Sequence, residues 1–209
     1  MTDYNKAATM ATETLLQYGI KKAPVSPLPI LEQMDNVVVV SFSDLTEHQG
    51  EKPLFGVYAD AVTSVHTEGS CPRYIVAYNS LLPFTMVQRA LARELGHIVL
   101  RHEGRSDANT AEALCFAMHL LCPRPLIYAL QATGARVTSD MVSNLTGVFD
   151  YQTITALRRT PGAEVPAGLN RFLRTQFMPF IVNFVMYWRQ AADGSESADF
   201  GTYMDNYQE

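Results

Sequence analysis

The sequence predicts an α+β fold in which a small β-sheet packs on a central helix and a mostly helical carboxyl-terminal half follows. Two observations predict it. β-Rich runs are confined to residues 37–78, and apolar residues recur at helical spacing before and after them. The composition, with 47% hydrophobic and 18% charged residues over a length of 209, is that of a folded domain.

The amino-terminal elements are one helix and three strands. Residues Ala7–Tyr18 have the apolar spacing of a short amphipathic helix that ends at Gly19, and a proline-containing connector, Pro24–Pro29, follows. Three β-rich runs then predict a small meander: Val37–Phe42, Phe55–Val62 and Tyr74–Tyr78. Turn-forming stretches separate these runs at His48–Glu51 and Glu68–Pro72.

Two helices come next. Pro83 suits the first turn of a helix, where a missing N–H costs nothing, and apolar spacing continues to about His102. A second helix is predicted over Ala111–Leu121, with Asn109 and Glu112 as a capping pair. Pro123 and Pro125 are expected to end it.

The remaining chain is predicted to be helical and then acidic. Val137–Arg159 predicts two short helices around a turn near Gly147, and Asn170–Gln190 predicts a long helix perturbed at Pro179. We therefore expect one domain over residues 1–125, a helical region with a helix-turn-helix-like element over 126–192, and an acidic, flexible tail over 193–209.

Charge and cysteine content limit the location and the partners. The net charge of −5 lacks the strongly basic signature of a nucleic-acid binder. Three cysteines without framework spacing favour a reducing compartment, and residues 1–11 contain no apolar signal segment. The longest apolar stretch, Phe177–Trp188, is about half of a membrane span. These features predict a cytoplasmic protein without a membrane partner.

One short stretch carries a chemical pattern, Arg93-Glu94-Leu95-Gly96-His97. Zinc peptidases place two histidines at i and i+4 on one helix face, and the glutamate after the first histidine acts as general base. Here Glu94 and His97 stand at the glutamate and second-histidine positions, and Arg93 stands at the first. On spacing alone, a glutamate three residues before a histidine is also a common surface pair.

The chain resembles the ImmA/IrrE family of metallo-endopeptidases over about residues 7–160. The resemblance rests on matches in the same order along the chain: Pro24-Val25 after the opening helix, Ile75–Asn79, Ala92–His102 and the block Glu112–Pro123. Members are small regulatory proteases, often associated with phages and mobile elements, that cleave or inactivate repressor-like proteins. The resemblance implies that residues 1–125 form a metallopeptidase-like, zincin-type domain.

The resemblance also implies a zinc site held by two histidines and a carboxylate from the second helix. His97 matches the second histidine and Glu94 the catalytic base. Arg93 cannot be a ligand because its guanidinium stays protonated. The third ligand stays open between Glu112, the position of Thr110 and Asp107, and a helical wheel turns Glu112 away from the site.

Two further hypotheses concern Arg93 and the second helix. Arg93 is hypothesised to replace the charge of the zinc by pairing with Glu94, and with Asp107 or Glu112. An alternative metal site is a stripe at i, i+3, i+7 and i+10 of the second helix, formed by Glu112, Cys115, His119 and Cys122. Cysteines at helical spacing are more often small buried hydrophobes, and His102 and His119 are expected to be ordinary histidines.

Three functions follow. The first is a regulatory family member with impaired catalysis, which binds a protein partner such as a repressor-type transcription regulator. The second is a working zinc endopeptidase with an altered ligand set that uses Glu94 and His97. The third is a DNA- or repressor-binding module that uses the helix-turn-helix-like element at Val142–Arg159. Zinc is the expected cofactor only of the active enzyme.

Overall fold

The protein is described here by a computed structural model that covers residues 2–49, 60–66, 72–147 and 163–192. The fold is mixed α/β, with one small sheet and several helices, as the sequence predicts at this level. The elements in chain order are α1 (Tyr4–Gln17), α2 (Pro27–Glu32), β1 (Val37–Ser41), α3 (Phe42–Gln49), β2 (Ala61–His66), β3 (Arg73–Tyr78), α4 (Phe84–Val99), α5 (Asp107–Leu121), α6 (Arg124–Ala132), α7 (Ser139–Thr146) and α8 (Ala167–Ala192).

The three strands are ordered β1-β3-β2, so the predicted meander is wrong. The central strand β3 is parallel to β1, with Val37 opposite Tyr74, and antiparallel to β2, with Ala61 opposite Tyr78. A parallel pair needs a long crossover, which strand-by-strand reading of the sequence does not reveal. The strand β2 shares only Ala61 and Val62 with the second predicted run, whose residues 55–59 lie outside the described ranges.

Local elements in the first half differ from prediction in two places. The expected turn at His48–Glu51 overlaps α3, which directly follows β1 and extends to Gln49. The connector Pro24–Pro29 contains the start of α2, because Pro27 and Pro29 fall in its first turn, where proline is tolerated. By contrast, α1 covers nearly all of the helix predicted at Ala7–Tyr18, which is confirmed.

Helix α4 is the centre of the fold. It begins directly after Pro83 and contacts β2 and β3 of the sheet as well as α2 and α5. It ends at Val99, three residues before the predicted end. The residue that turns the chain away is Arg101, whose φ of 56° is left-handed.

Helix α5 lies between α1 and α4, and this placement overturns two expectations. It starts at Asp107 with Ser106 as its cap, whose hydroxyl accepts a hydrogen bond from the Asn109 N–H, so Asn109 lies inside the helix. Thr110 is exposed whereas Glu112 is buried, the reverse of the helical-wheel expectation. The wheel assumed one apolar face, but a helix held between two neighbours is buried on two sides.

The carboxyl-terminal half is helical in its described residues, as predicted. Helix α6 was not predicted, because Pro123 and Pro125 look like terminators; they lie at its start instead. Gly147 ends α7 with a φ of 64°, which confirms the predicted turn, and α8 continues through Pro179. The predicted helix after Gly147 and the acidic tail lie outside the described residues.

One continuous core joins both halves. Its fully buried side chains come from helices on both sides of residue 125, among them Leu15, Leu91, Phe116, Leu126, Phe177 and Phe184. The stretch Asp107–Ala132 has the length and apolar composition of a membrane-crossing segment, yet 67% of its apolar window is buried inside the protein. Pro123 stands between α5 and α6 within that stretch, so it folds as two core helices.

Gly96 sets the distance between α4 and α5. A Cβ atom at this position would lie 3.0 Å from both the Ala113 carbonyl oxygen and the Phe116 ring. Contacts this short force one helix to move, because the obstacle includes backbone. The glycine of the motif is therefore required by packing.

We expect Gly96→Ala to lower the free energy of unfolding by about 1–3 kcal/mol, as overpacking of a core does. The matched control is Gly168→Ala in α8, where an added Cβ meets nothing within 4 Å. This control is expected to leave stability unchanged or to raise it by up to about 1 kcal/mol. Urea unfolding of the three proteins measures the difference, and equal stability of both variants would contradict the packing role.

Candidate functional site

The site is built around the buried carboxylate of Glu94. Its side chain, on the inner face of α4, is fully buried. The Thr63 hydroxyl of β2 donates a 2.8 Å hydrogen bond to Oε2, and the Arg105 guanidinium pairs with the same oxygen at 2.6 Å. Arg93 donates to Oε1 from Nε at 3.3 Å and from a terminal nitrogen at 3.2 Å. Both carboxylate oxygens are therefore occupied.

Arg93 pairs with Glu94, as hypothesised, but it does not act alone. Its guanidinium also donates to the Ala61 carbonyl at 3.4 Å, and its side chain is 28% exposed. Arg105, which sequence analysis missed, makes the shorter contact although its side chain is 46% exposed. Asp107 is exposed in the first turn of α5 and Glu112 pairs with His102, so the expected second partner of Arg93 is wrong.

A second set of polar side chains forms a chain next to Glu94. His97 Nδ1 lies 3.0 Å from His102 Nδ1, and His102 Nε2 lies 3.2 Å from Glu112 Oε2. The backbone N–H of Asp3 donates to the other Glu112 oxygen at 2.6 Å. Glu112 therefore lies behind His102 as seen from His97. The helical wheel was wrong in turning it away from the site.

The backbone turn after α4 brings His102 to His97. The His102 N–H donates to the His97 carbonyl at 3.0 Å and the Arg101 N–H to the Ile98 carbonyl at 3.0 Å, which is the Schellman pattern. Arg101 occupies the left-handed position where glycine is usual, at a cost of about 1–3 kcal/mol. The turn folds the chain back, so the rings of His97 and His102 meet edge to face at 5.1 Å.

The partners of the two rings define their tautomers. Glu112 accepts from His102 Nε2–H, which leaves His102 Nδ1 as an acceptor for His97 Nδ1–H. Burial lowers the pKa of His97 to about 4, opposed by Glu94 and reinforced by Arg105, His102 and Arg93, so its ring is neutral at pH 7. The lone pair of His97 then lies on Nε2, which is the nitrogen left for a ligand.

A pocket of about 220 Å³ opens beside these groups. Strand residues Thr63, Val65 and Tyr74 line one side, and His97, His102 and Arg105 line the other. β2 is an outer strand of the three-stranded sheet, and Val65 on it is half exposed. The pocket therefore adjoins a sheet edge.

The residues present do not fit the expected zinc site. His97 offers one nitrogen, but a guanidinium occupies the first-histidine position and Glu112 is separated from His97 by the His102 ring. Thr110 and Asp107, the other ligand candidates, are exposed. Among the residues that the structure describes, no group of three His, Cys, Asp or Glu side chains could hold a metal ion.

The alternative stripe on α5 does not converge either. Glu112 faces His102, whereas His119 lines a different cleft and Cys122 is buried in the apolar core. Cys115 contacts the Tyr4 carbonyl, and burial raises the pKa of its thiol to about 11. The four side chains therefore do not face one common point.

No protein-family model, curated protein or solved structure matches the chain. Glu94, His97 and Arg93 were predicted from the sequence, whereas Thr63 and Arg105 were not, and His102 was expected to be an ordinary histidine. The signal for His102 was its position five residues after His97, where a helix end can fold back.

The ion pairs of Glu94 generate a prediction about stability. We expect Arg105→Gln to lower the free energy of unfolding by about 1–3 kcal/mol, since it removes a charged hydrogen bond to a buried carboxylate. Arg93→Gln is expected to cost less, because its contacts with Glu94 are longer. The control is Arg89→Gln, an exposed arginine on the same helix. Urea unfolding measures each loss.

A double-mutant cycle shows whether the loss belongs to the pair. In the Glu94→Gln background the effect of Arg105→Gln is expected to shrink, because the buried charge that it compensates is gone. An unchanged effect of Arg105→Gln in that background would contradict the pairing.

The lowered pKa of His97 generates a prediction about pH. The pKa of about 4 in the folded protein lies below the ordinary histidine pKa of 6.5, so the neutral ring stabilises the fold fully above pH 6.5. This contribution is lost as pH falls from 6.5 toward 4. We expect the stability difference between about pH 7 and about pH 5 to be smaller in His97→Asn than in the wild type. His66→Asn, at an exposed position of β2, should keep the wild-type difference.

Proposed function

We propose that the protein is a regulatory member of the ImmA/IrrE-like metallopeptidase family that has lost its catalytic metal and acts by binding a protein partner. The observation that carries the proposal is the state of Glu94. Both of its oxygens accept hydrogen bonds from Thr63, Arg93 and Arg105. The residue expected to act as catalytic base is thus held as a structural anion.

The charges explain why a zinc ion is not needed here. Two guanidinium groups together carry the charge of one zinc ion, and both contact Glu94. A guanidinium does not act as a Lewis acid and does not generate hydroxide from water, which are the tasks of a catalytic metal. The arrangement therefore supports a protein that keeps the pocket but lacks the chemistry of a catalytic metal.

Element placement supports the family assignment. We infer that α4 corresponds to the zincin-type active-site helix, since it carries Glu94 and His97 on its buried face and packs against the sheet. We infer that α5 corresponds to the helix that supplies the carboxylate, since Glu112 reaches His97 through His102. Such backing by a carboxylate is how metal-binding histidines are oriented, and here the backing persists around His97.

The sheet edge beside the pocket is the proposed binding surface. In the described part of the chain, β2 pairs only with β3, which leaves its outer edge open to an extended segment of a partner. Adding a strand to a sheet edge uses main-chain hydrogen bonds for affinity and a neighbouring pocket for specificity. The proposed partner is a cytoplasmic, repressor-type regulator, as the family resemblance implies.

Direct DNA contact is not part of the proposal. The second helix of the helix-turn-helix-like element would fall within residues 148–159, which lie outside the described residues. Within the described part, α7 carries Asp140 in its first turn and no basic residue in its last turn. Phosphate contact would require cationic side chains there.

Peptide selection tests the proposal. Panning a library of random linear peptides on the full chain is expected to enrich peptides that remain intact after incubation. Their affinity should fall by about tenfold or more, about 1.4 kcal/mol, in Val65→Asp, which puts a charge beside the pocket. Val38→Asp is the control, since Val38 is 59% exposed on β1 at the opposite sheet edge.

Three results would count against the proposal. Peptide cleavage that Glu94→Gln abolishes, or about one zinc per chain in protein purified without chelator, would favour the working endopeptidase. Peptides whose affinity is the same for Val65→Asp and Val38→Asp would show that the sheet edge is not the binding surface. Arg93→His, analysed for zinc beside the wild type, shows whether Arg93 is the residue that excludes the metal.

A further inference from the structure

A second cleft lies on the opposite end of α5 from Glu112. It has a volume of about 580 Å³ and is bordered by α1, the end of α5, the start of α6 and the segment that leads into α8. Its polar lining includes Asn5, His119, Arg124, Tyr128, Glu164 and Asn170. The volume lies within the usual range for small-molecule sites, about 300–1,000 Å³. The cleft shares no lining residue with the pocket at His97.

His119 is the first residue of the cleft that could hydrogen-bond to a ligand. It is only 8% exposed, and its ring has no hydrogen-bond partner among the residues that the structure describes. Burial, with a contribution from Arg124, lowers the pKa of His119 to about 4. The neutral ring therefore presents one donor and one acceptor to the cleft. A polar ligand in the cleft can therefore hydrogen-bond to both ring nitrogens.

Arg124 supplies the charge of the cleft. It is the first residue of α6 and is partly buried, and it has no ion-pair partner in the described part of the chain. Its guanidinium fork and the partial positive charge of the helix start both favour an oxyanion. Glu164 stands exposed on the rim and adds one negative charge. One cation with a nearby carboxylate suits a carboxylate ligand better than a doubly charged phosphate.

Asn170 defines which further group the ligand must carry. Its Nδ2 donates to the Val165 carbonyl at 3.2 Å, and this bond fixes the orientation of the amide. Its Oδ1 is buried without a partner among the described residues. An unpaired acceptor needs a donor, so the ligand should carry an N–H or O–H group besides its carboxylate.

We propose that this cleft binds a small organic carboxylate that also carries a hydrogen-bond donor, the chemistry of a free amino acid. Arg124 binds the carboxylate, while His119 and Asn170 bind the polar groups of the ligand. The inference does not depend on the proposed function, because the two pockets have separate residues.

Thermal-shift and calorimetric titration of the full chain test this site. The probes are the twenty L-amino acids singly, their α-amides as carboxylate-free controls, and inorganic phosphate. We expect saturable binding of at least one amino acid, with its amide and the Arg124→Gln variant about tenfold or more weaker. Arg136→Gln removes the same charge at an exposed position outside the cleft and should bind as the wild type does.

Several outcomes overturn the inference. They are the absence of saturable binding by every amino acid, equal binding of acid and amide, an unchanged affinity in Arg124→Gln, and phosphate binding tighter than that of every amino acid. Where Arg124→Gln unfolds, Arg124→Lys replaces it. This variant keeps the charge but loses the planar fork, and a weakened affinity is again expected.

Discussion

The structure depends on one buried negative charge, the carboxylate of Glu94. An uncompensated carboxylate in a protein interior costs several kcal/mol, so its partners must be held in place. These partners come from three segments: Thr63 from β2, Arg93 from α4 and Arg105 from the loop before α5. Meeting the requirements of this one side chain therefore ties the sheet, the central helix and the following loop together.

The loop that carries Arg105 also carries His102, so the two polar arrangements are coupled. Arg101 turns the chain back in a left-handed conformation, which places His102 against His97 before Arg105 reaches Glu94. Glu112 then anchors His102, and Asp3 at the start of α1 anchors Glu112. A shift of this loop would break both arrangements, which accounts for the strain tolerated at Arg101.

How much of the structure the sequence predicts depends on how far apart along the chain the interacting residues lie. Apolar periodicity predicted α1, α4 and α8, and the motif spacing identified Glu94 and His97. The strand order could not be predicted, because parallel pairing of β1 with β3 depends on contacts far apart in sequence. Arg105 was missed for the same reason, since a loop residue carries no periodicity that points to its partner. Pro123 and Pro125 were interpreted as helix terminators, but proline is also tolerated in the first turn of a helix, and here both lie at the start of α6.

The pairing of Glu94 with two arginines does not explain why the ring of His97 is held in a fixed orientation. Pairing of Glu94 requires only Thr63, Arg93 and Arg105, yet His97 is still oriented by His102 and Glu112. The chain of donors leaves the lone pair of a neutral ring on Nε2, and the pocket also contains the Arg105 guanidinium, which donates but does not accept. The pocket therefore combines an acceptor on His97 with a donor on Arg105. A bound segment would satisfy both by presenting an N–H or O–H to His97 and a carbonyl to Arg105, as the backbone of an extended peptide can.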